Sequence, residues 1–503
     1  MNKKFSLLYK EPEPSCEKDP QLQHNLLLEN ALLKLHSNAK SVRYFLNVLA
    51  SPPNKDCNAL HRGEILQDFH EHPMSMNRLL ACLKTLDSLP EQYQKERSMN
   101  KASAAFGSDA RFLTSAKQVL LSACTLSDIF ERLNEIYHLL KNEGFKAGGF
   151  CALYERLDTL FSSEDYATLT TLLNRLMRLP EDYKIELQFT LSELGRLQEY
   201  DILSIESMEL VKVKKKGLKR LFQSAEQIRE AESYKEYQSI LGIPVKTATH
   251  QLRNQTIGGV YEKIAETLNL MIQGLFSEFC GMSSEFHFYY VALSILTFFE
   301  KNEVEFCYPQ FTTGGLLEFQ KLSDFVLLCE FYGEKTVVKN DASLSFERPG
   351  ILISGENNSG KTVYLRSIAT ALLFAKNGLP IPANSATISE YGKVITLFAT
   401  GEKSASIGTG AGRFEEEGST MSAIVNTLKS GDILFLNEVF QTTSYAEGAE
   451  GLFHILKHLE KRGIRWVCVS HLTELFSLFN KNETTMLQTA DPASEKRYQL
   501  FKI

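Results

Sequence analysis

The segment Gly355-Glu-Asn-Asn-Ser-Gly360-Lys361-Thr362 constrains this chain more than any other stretch of it. It fits the pattern G-x-x-x-x-G-K-[ST]. It follows the apolar run Ile351-Leu352-Ile353-Ser354 and precedes a helix-like segment from Thr362 to Lys376, which Gly378 and Pro380 bring to an end. Strand, glycine-rich turn and helix in that order make backbone N–H groups converge at a helix N-terminus, where an anion is held. The candidate phosphate cradle is Gly355, Glu356, Asn357, Asn358, Ser359, Gly360 and Lys361. Lys361 would reach the β- and γ-phosphates, and the Thr362 hydroxyl would ligate Mg²⁺. The implied ligands are ATP and Mg²⁺.

Polar groups end two further apolar runs. Asp432-Ile-Leu-Phe-Leu-Asn437-Glu438 ends where P-loop ATPases hold a carboxylate near the metal and a second one that orients water. Glu438 suits the role of general base. Asn437 is neutral, so it holds a Mg²⁺-bound water more weakly than a carboxylate does. Trp466-Val-Cys-Val-Ser470-His471 is a similar run, and His471 could sense the γ-phosphate. Between them, Ser404–Thr420 is rich in Gly and Ser, then acidic, and a helix-like Met421–Leu428 follows. Two readings of Ser419 and Thr420 stand side by side: helix N-caps, or groups that bind the phosphate of a neighbouring subunit.

The punctuation of the chain divides it. Long proline-free intervals and helix-spaced leucines mark residues 21–50, 108–145, 151–178 and 256–301 as helical. Residues 181–238, rich in Glu, Lys, Leu and Gln, read as one or two long, partly exposed helices. After about residue 305, β-type runs at Phe325–Cys329, Ile351–Ser354, Ile433–Leu436 and Trp466–Val469 are broken by Gly, Asn and Ser. The fold class is thus α plus α/β: an N-terminal tail (1–20), a helical body (21–305) with a long-helix arm at about 181–240, and a P-loop α/β domain (306–503).

Composition excludes several classes. A chain of 503 residues with 43% hydrophobic content can bury a core without metal or disulfide staples. A net charge of -6 excludes a globally basic coat, though not local basic patches. The nine scattered cysteines form no C-x-x-C, which points to reduced, mostly buried thiols rather than a disulfide frame or zinc site. No signal peptide and no run of 18 apolar residues is found, so a cytoplasmic protein without a membrane span is expected.

These motifs, in this order, resemble the MutS family of DNA mismatch-repair ATPases, an ABC-type group. Val337-Val-Lys-Asn340-Asp341 is similar to the family's V-P-N-D, and Gly355–Thr362 to its G-P-N-M-G-G-K-[ST]. Gly418-Ser419-Thr420-Met421 resembles R-S-T-F, Asn437–Gly448 resembles D-E-I-G-R-G-T-S-T-x-D-G, and Val469–Leu475 resembles A-T-H-Y-x-E-L. More weakly, Val42–Glu64 is similar to the family's core-domain opening. The resemblance implies a lever/core body with a clamp-bearing arm. It also implies ATP hydrolysis with Glu438, His471 and Lys361 in catalytic roles, adenine contact near Asn340, and Ser419 acting in trans across a homodimer or a heterodimer with a related subunit. The core pattern begins near residue 40 and the chain ends about thirty residues after His471, so a short form without mismatch-reading or connector domains is expected. Asn437, with Gln441-Thr442 in place of Arg-Gly, implies slow hydrolysis.

Within the arm, Lys212, Lys214, Lys215, Lys216, Lys219 and Arg220 form a basic run suited to phosphate backbones without sequence preference. The expected function is an ATP-gated clamp on duplex or branched DNA. The alternatives are an ATPase acting on structured RNA or ribosomes, and a nucleotide-gated interaction protein with little turnover.

Overall fold

A computed structural model describes residues 4–11, 21–51, 53, 55–103, 110–177, 183–191, 197–207, 258–331, 337–398, 410–440, 445–491, 494 and 496–503. The chain divides into two compact units. The first takes in residues 74–145 and 150–283, and the second residues 6–73, 146–149 and 284–503.

In chain order, short helices α1 (Leu22–Asn25), α2 (Leu28–Leu35), α3 (Ala39–Leu49) and α4 (Asp56–Glu71) open the second unit. The first unit is built from α5 (Pro73–Ser103), α6 (Ala110–Glu143), α7 (Gly148–Phe161), α8 (Glu164–Leu176) and α9 (Gly258–Phe279). Leu126, Ile129, Leu133, Ile136 and Leu140 of α6 recur every three or four residues and are all buried, as a helix with one inward stripe requires. The helices expected at 21–50, 108–145, 151–178 and 256–301 are present.

The arm differs from expectation. Residues 183–191 and 197–207 are the antiparallel strands β1 (Tyr183–Leu191) and β2 (Leu197–Ser207), not a long helix. The reason is legible: Tyr183, Ile185, Leu187, Phe189 and Leu191 alternate strictly with Lys184, Glu186, Gln188 and Thr190, a period of two that overrides the helix-favouring composition. The basic run Lys212–Arg220 lies outside the described residues.

The second unit continues with α10 (Met282–Lys301), β3 (Gln310–Thr312), β4 (Leu317–Leu322), α11 (Phe325–Glu330), β5 (Asn340–Leu344), β6 (Gly350–Ser354) and α12 (Lys361–Lys376). Then follow β7 (Ser385–Ser389), β8 (Val394–Phe398), α13 (Gly410–Thr427), β9 (Ile433–Asn437), α14 (Tyr445–Lys461) and β10 (Arg465–Val469). Helix α15 (Thr473–Leu478) and strands β11 (Thr484–Thr489) and β12 (Leu500–Lys502) complete it. One sheet has the order β12-β11-β6-β10-β9-β8, parallel except for the edge strand β12. A second sheet has the order β3-β7-β4-β5. The unit is therefore mixed α/β, and Ile351–Ser354, Ile433–Leu436 and Trp466–Val469 are its buried parallel strands. Phe325–Cys329 is instead helical, because the Asp324 carboxylate accepts the Leu327 N–H at 2.8 Å and caps a turn there.

Helix α12 is fastened at both ends of its length. Arg366 donates to both carboxylate oxygens of Asp324, from Nε at 3.1 Å and Nη2 at 2.9 Å, with both residues buried. Beyond its C-terminus, Asn377 donates to Leu373 O at 2.8 Å and accepts from Arg62 of α4. Gly378 takes φ +68°, and a Cβ there would stand 2.1 Å from Ala59 O, so α4 abuts the backbone end of α12. Arg62 also donates to Leu8 O at 2.9 Å, and Leu7 and Leu8, in the stretch read as a tail, are buried. Among the described cysteines Cys329 and Cys468 are buried and Cys151 is exposed, so burial of the thiols is less general than expected. Among the described residues no helix is long and apolar enough to cross a membrane.

Replacing Asp324 with Ala strands the buried Arg366 guanidinium and removes a cap. The expected loss is about 3–5 kcal/mol in urea unfolding of the second unit; a loss below about 1 kcal/mol would contradict this account of how α12 is held.

Candidate phosphate site

Strands β6, β9 and β10 are neighbours with their C-terminal ends on one edge, the usual position of a ligand in an open parallel sheet. Each ends in polar residues, so the sheet gathers them: the loop after Ser354, the pair Asn437-Glu438 and the pair Ser470-His471. The register sets Asn437 beside Val469, and the Glu438 N–H extends the ladder by donating to Val469 O at 3.0 Å. Ser470 N donates to Ile353 O at 3.1 Å, which aligns the third strand end with the first.

The loop itself takes left-handed backbone at Gly355 (φ +144°), Asn358 (φ +61°) and Gly360 (φ +95°). Gly360 is the N-cap of α12, so the helix begins at Lys361. Lys361 is 4% exposed, and its Nζ donates to Gly355 O at 2.9 Å and Glu356 O at 2.8 Å. Burial lowers the pKa of this ammonium, and the Glu438 carboxylate opposes the shift. A bound anion would act in the same direction as Glu438, so anion binding and proton retention on Lys361 reinforce each other. Asn357 and Asn358 are exposed at the loop's crest, while Ser359 is buried.

The remaining groups meet in pairs. Thr362 Oγ1 donates to Asn437 Oδ1 at 3.0 Å. His471 Nε2 and Glu438 Oε1 are 2.9 Å apart; for an ionised Glu438 the ring nitrogen is the donor. Of the residues named from the sequence, Lys361, Thr362, Asn437, Glu438 and His471 thus come together at one edge.

Three others are placed differently. Asn340 opens β5, where its amide donates to Tyr498 O at 3.2 Å and accepts from Leu500 N at 3.0 Å, so it holds the C-terminal strand beside the loop. Ser419 and Thr420 are not N-caps, because α13 begins nine residues before Ser419, at Gly410. The acidic run Glu415–Glu417 continues that helix through Gly418 rather than ending in a turn. Ser419 is exposed on it.

Three residues with no motif to announce them also belong here. Thr489, at the end of β11, donates to Ser359 Oγ at 2.7 Å, and a Cβ on Gly355 would stand 1.8 Å from Thr489 Oγ1. The Tyr498 ring lies over Gly360, where an added Cβ would meet it at 3.2 Å, and Tyr498 itself takes φ +72°. Glu417 of α13 accepts the Phe440 N–H at 2.9 Å. All three reach the site by tertiary packing, and no local spacing links them to the loop.

Comparison with known proteins gives a consistent picture. The family model described as MutS domain V matches residues 351–501. A DNA mismatch repair protein MutS of Halothermothrix orenii is 31% identical over 195 residues, which is 38% of this chain and 21% of that protein. One from Granulibacter bethesdensis is 31% identical over 157 residues, 31% of this chain and 16% of that protein. An Endonuclease MutS2 of Shouchella clausii is 30% identical over 139 residues, 28% of this chain and 17% of that protein. The matched stretch therefore spans about a fifth or less of the length of these relatives.

Gly355→Ala forces a side chain into the Thr489 hydroxyl at a left-handed φ. A strain of roughly 1–3 kcal/mol is expected to weaken binding of inorganic triphosphate by about tenfold or more in a fluorescence titration. Unchanged affinity would mean that the loop's shape does not set anion binding.

Proposed function

We propose that this chain, whose C-terminal part belongs to the MutS family, is an ATPase that uses ATP to gate a clamp-like grip on DNA without sequence preference. The carrying observation is the convergence of Lys361, Thr362, Asn437, Glu438 and His471 on the edge formed by β6, β9 and β10. The relatives' printed names, DNA mismatch repair protein and endonuclease, support DNA as the partner. The basic run Lys212–Arg220 supports contact with phosphate backbones.

In this reading the loop amides of Gly355–Gly360 and the Lys361 ammonium bind the β- and γ-phosphates. Tyr498, beside Gly360, borders the end of the loop where the nucleoside would lie, and Asn340 fixes that border. Glu438 accepts a proton from the attacking water, and His471 orients the Glu438 carboxylate through the 2.9 Å contact. The exposed Ser419 faces a second subunit in a dimer.

A divalent cation has a limited donor set here. Among the described residues no group of three or more His, Cys, Asp or Glu side chains could hold a metal. The Thr362 hydroxyl and the Asn437 amide oxygen are adjacent, and they fit a Mg²⁺ held mainly by substrate phosphates and water. When bound, that ion would neutralise charge on the phosphates. Because Asn437 is neutral, it offers less to such an ion than a carboxylate would. This favours slow turnover. The same Thr362–Asn437 contact favours a second reading, in which ATP binding alone switches the protein.

Steady-state hydrolysis separates the two. Glu438→Gln is expected to lower turnover by about 10²-fold or more with ATP affinity retained. Asn437→Asp is expected to raise turnover in Mg²⁺; an unchanged or lower rate would show that the amide is not what limits it. Competition among duplex DNA, branched DNA and structured RNA at two salt concentrations identifies the polymer. Loss of DNA binding with rising salt is expected, and preference for RNA would redirect the assignment.

A further inference from the structure

We infer that Glu417 is a positioning residue for the general base: its carboxylate fixes the turn that carries Glu438, and it couples that turn to the helix bearing Ser419. The inference rests on the ATPase reading above.

The turn after β9 is strained. Glu438 takes φ +56° and Phe440 takes φ +61°, left-handed backbone at two residues that are not glycine. Such conformations persist only where the surroundings over-determine them. The strand side is held by the Glu438 N–H bond to Val469 O at 3.0 Å. The far side is held by the Glu417 carboxylate, which accepts the Phe440 N–H at 2.9 Å. A carboxylate on a backbone N–H is a charge-assisted bond, stronger than a neutral one.

A second contact lies on the same helix. Met421 is one turn beyond Glu417, on the same face of α13, and is buried. It shares an apolar cluster with Val439 and Phe440. Helix α13 therefore grips the turn twice, through an ion-assisted hydrogen bond and through packing. Ser419, between these two residues in sequence, is exposed on the helix. Any displacement of α13 that follows from contact at Ser419 is transmitted through Glu417 to the Phe440 backbone, two residues from the base. Since Glu438 Oε1 is also tied to His471 at 2.9 Å, a shift of the turn changes where that carboxylate stands relative to the loop. Glu417 bonds the backbone of the turn. It acts through Glu438.

The test is ATP turnover and ATP affinity of the full chain as wild type, Glu417→Ala, Glu417→Gln and Glu417→Asp. Misplacing a catalytic group costs rate rather than binding, so Glu417→Ala should lower kcat by about tenfold or more with KM for ATP within about twofold. Glu417→Gln keeps an acceptor oxygen at the same reach and should recover most of kcat. Glu417→Asp shortens the reach by a methylene and should give the same kcat loss, which keeps the test available if the Ala variant does not fold. Hydrogen exchange of the Phe440 amide should quicken in the Ala and Asp variants and stay slow in Gln. Wild-type turnover in both Ala and Asp variants overturns the inference alone, as does a Gln variant no better than Ala. Tight ATP binding by a wild type that never hydrolyses it overturns the hydrolytic reading, and with it the role given to Glu417.

Discussion

The second unit is organised around a buried ammonium. Lys361 lies almost out of solvent, with the carbonyls of Gly355 and Glu356 as its hydrogen-bond acceptors. A cation in that setting is costly unless negative charge comes near it, and burial already lowers its pKa. Glu438 offers part of that charge, and phosphate would offer the rest. The left-handed glycines, the start of α12 at Lys361 and the packing of Thr489 against Ser359 all serve to keep the loop in the one shape that leaves its crest open.

What surrounds the loop links it to the body of the unit. The buried Arg366–Asp324 pair fixes one stretch of α12, and Asn377 with Gly378 presses its C-terminus against α4. The helix that begins at the loop is thus tied to α4 and to the segment after β4. On the other side, Asn437 and Glu438 divide two tasks between adjacent residues. Asn437 is bonded to Thr362 and Glu438 to His471. In the proposed ATPase, the neutral amide would offer less to a metal ion than a carboxylate, while Glu438 would keep its histidine partner.

Much of this was legible in the sequence, for definable reasons. The loop, Asn437-Glu438 and Ser470-His471 each end a buried apolar run, and parallel strands bring such ends together whatever lies between them. The helices within 21–50, 108–145, 151–178 and 256–301 follow from leucine spacing and proline-free intervals, whereas α4 and α5 lie outside the stretches so marked. Strands β1 and β2 depart from the helix that composition suggests, and the signal for them is the strict apolar–polar alternation of β1. Phe325–Cys329 looks like a strand because five consecutive apolar residues carry no period; the cap from Asp324 decides the matter. Ser419 looks like a helix start because a stretch rich in Gly and Ser leads up to the helix-like Met421–Leu428, yet α13 begins at Gly410 and runs through Gly418. Thr489, Tyr498 and Glu417 were invisible, since each reaches the site from distant sequence and carries no motif of its own.

The central claim is that Lys361 and its loop seat the triphosphate of ATP. Isothermal titration calorimetry of the wild type and of Lys361→Ala with ATP tests it most directly. The account predicts saturable binding of one nucleotide per chain by the wild type and none by the variant. A pocket that gives no heat at millimolar ATP, or a variant that binds as tightly as the wild type, would contradict it.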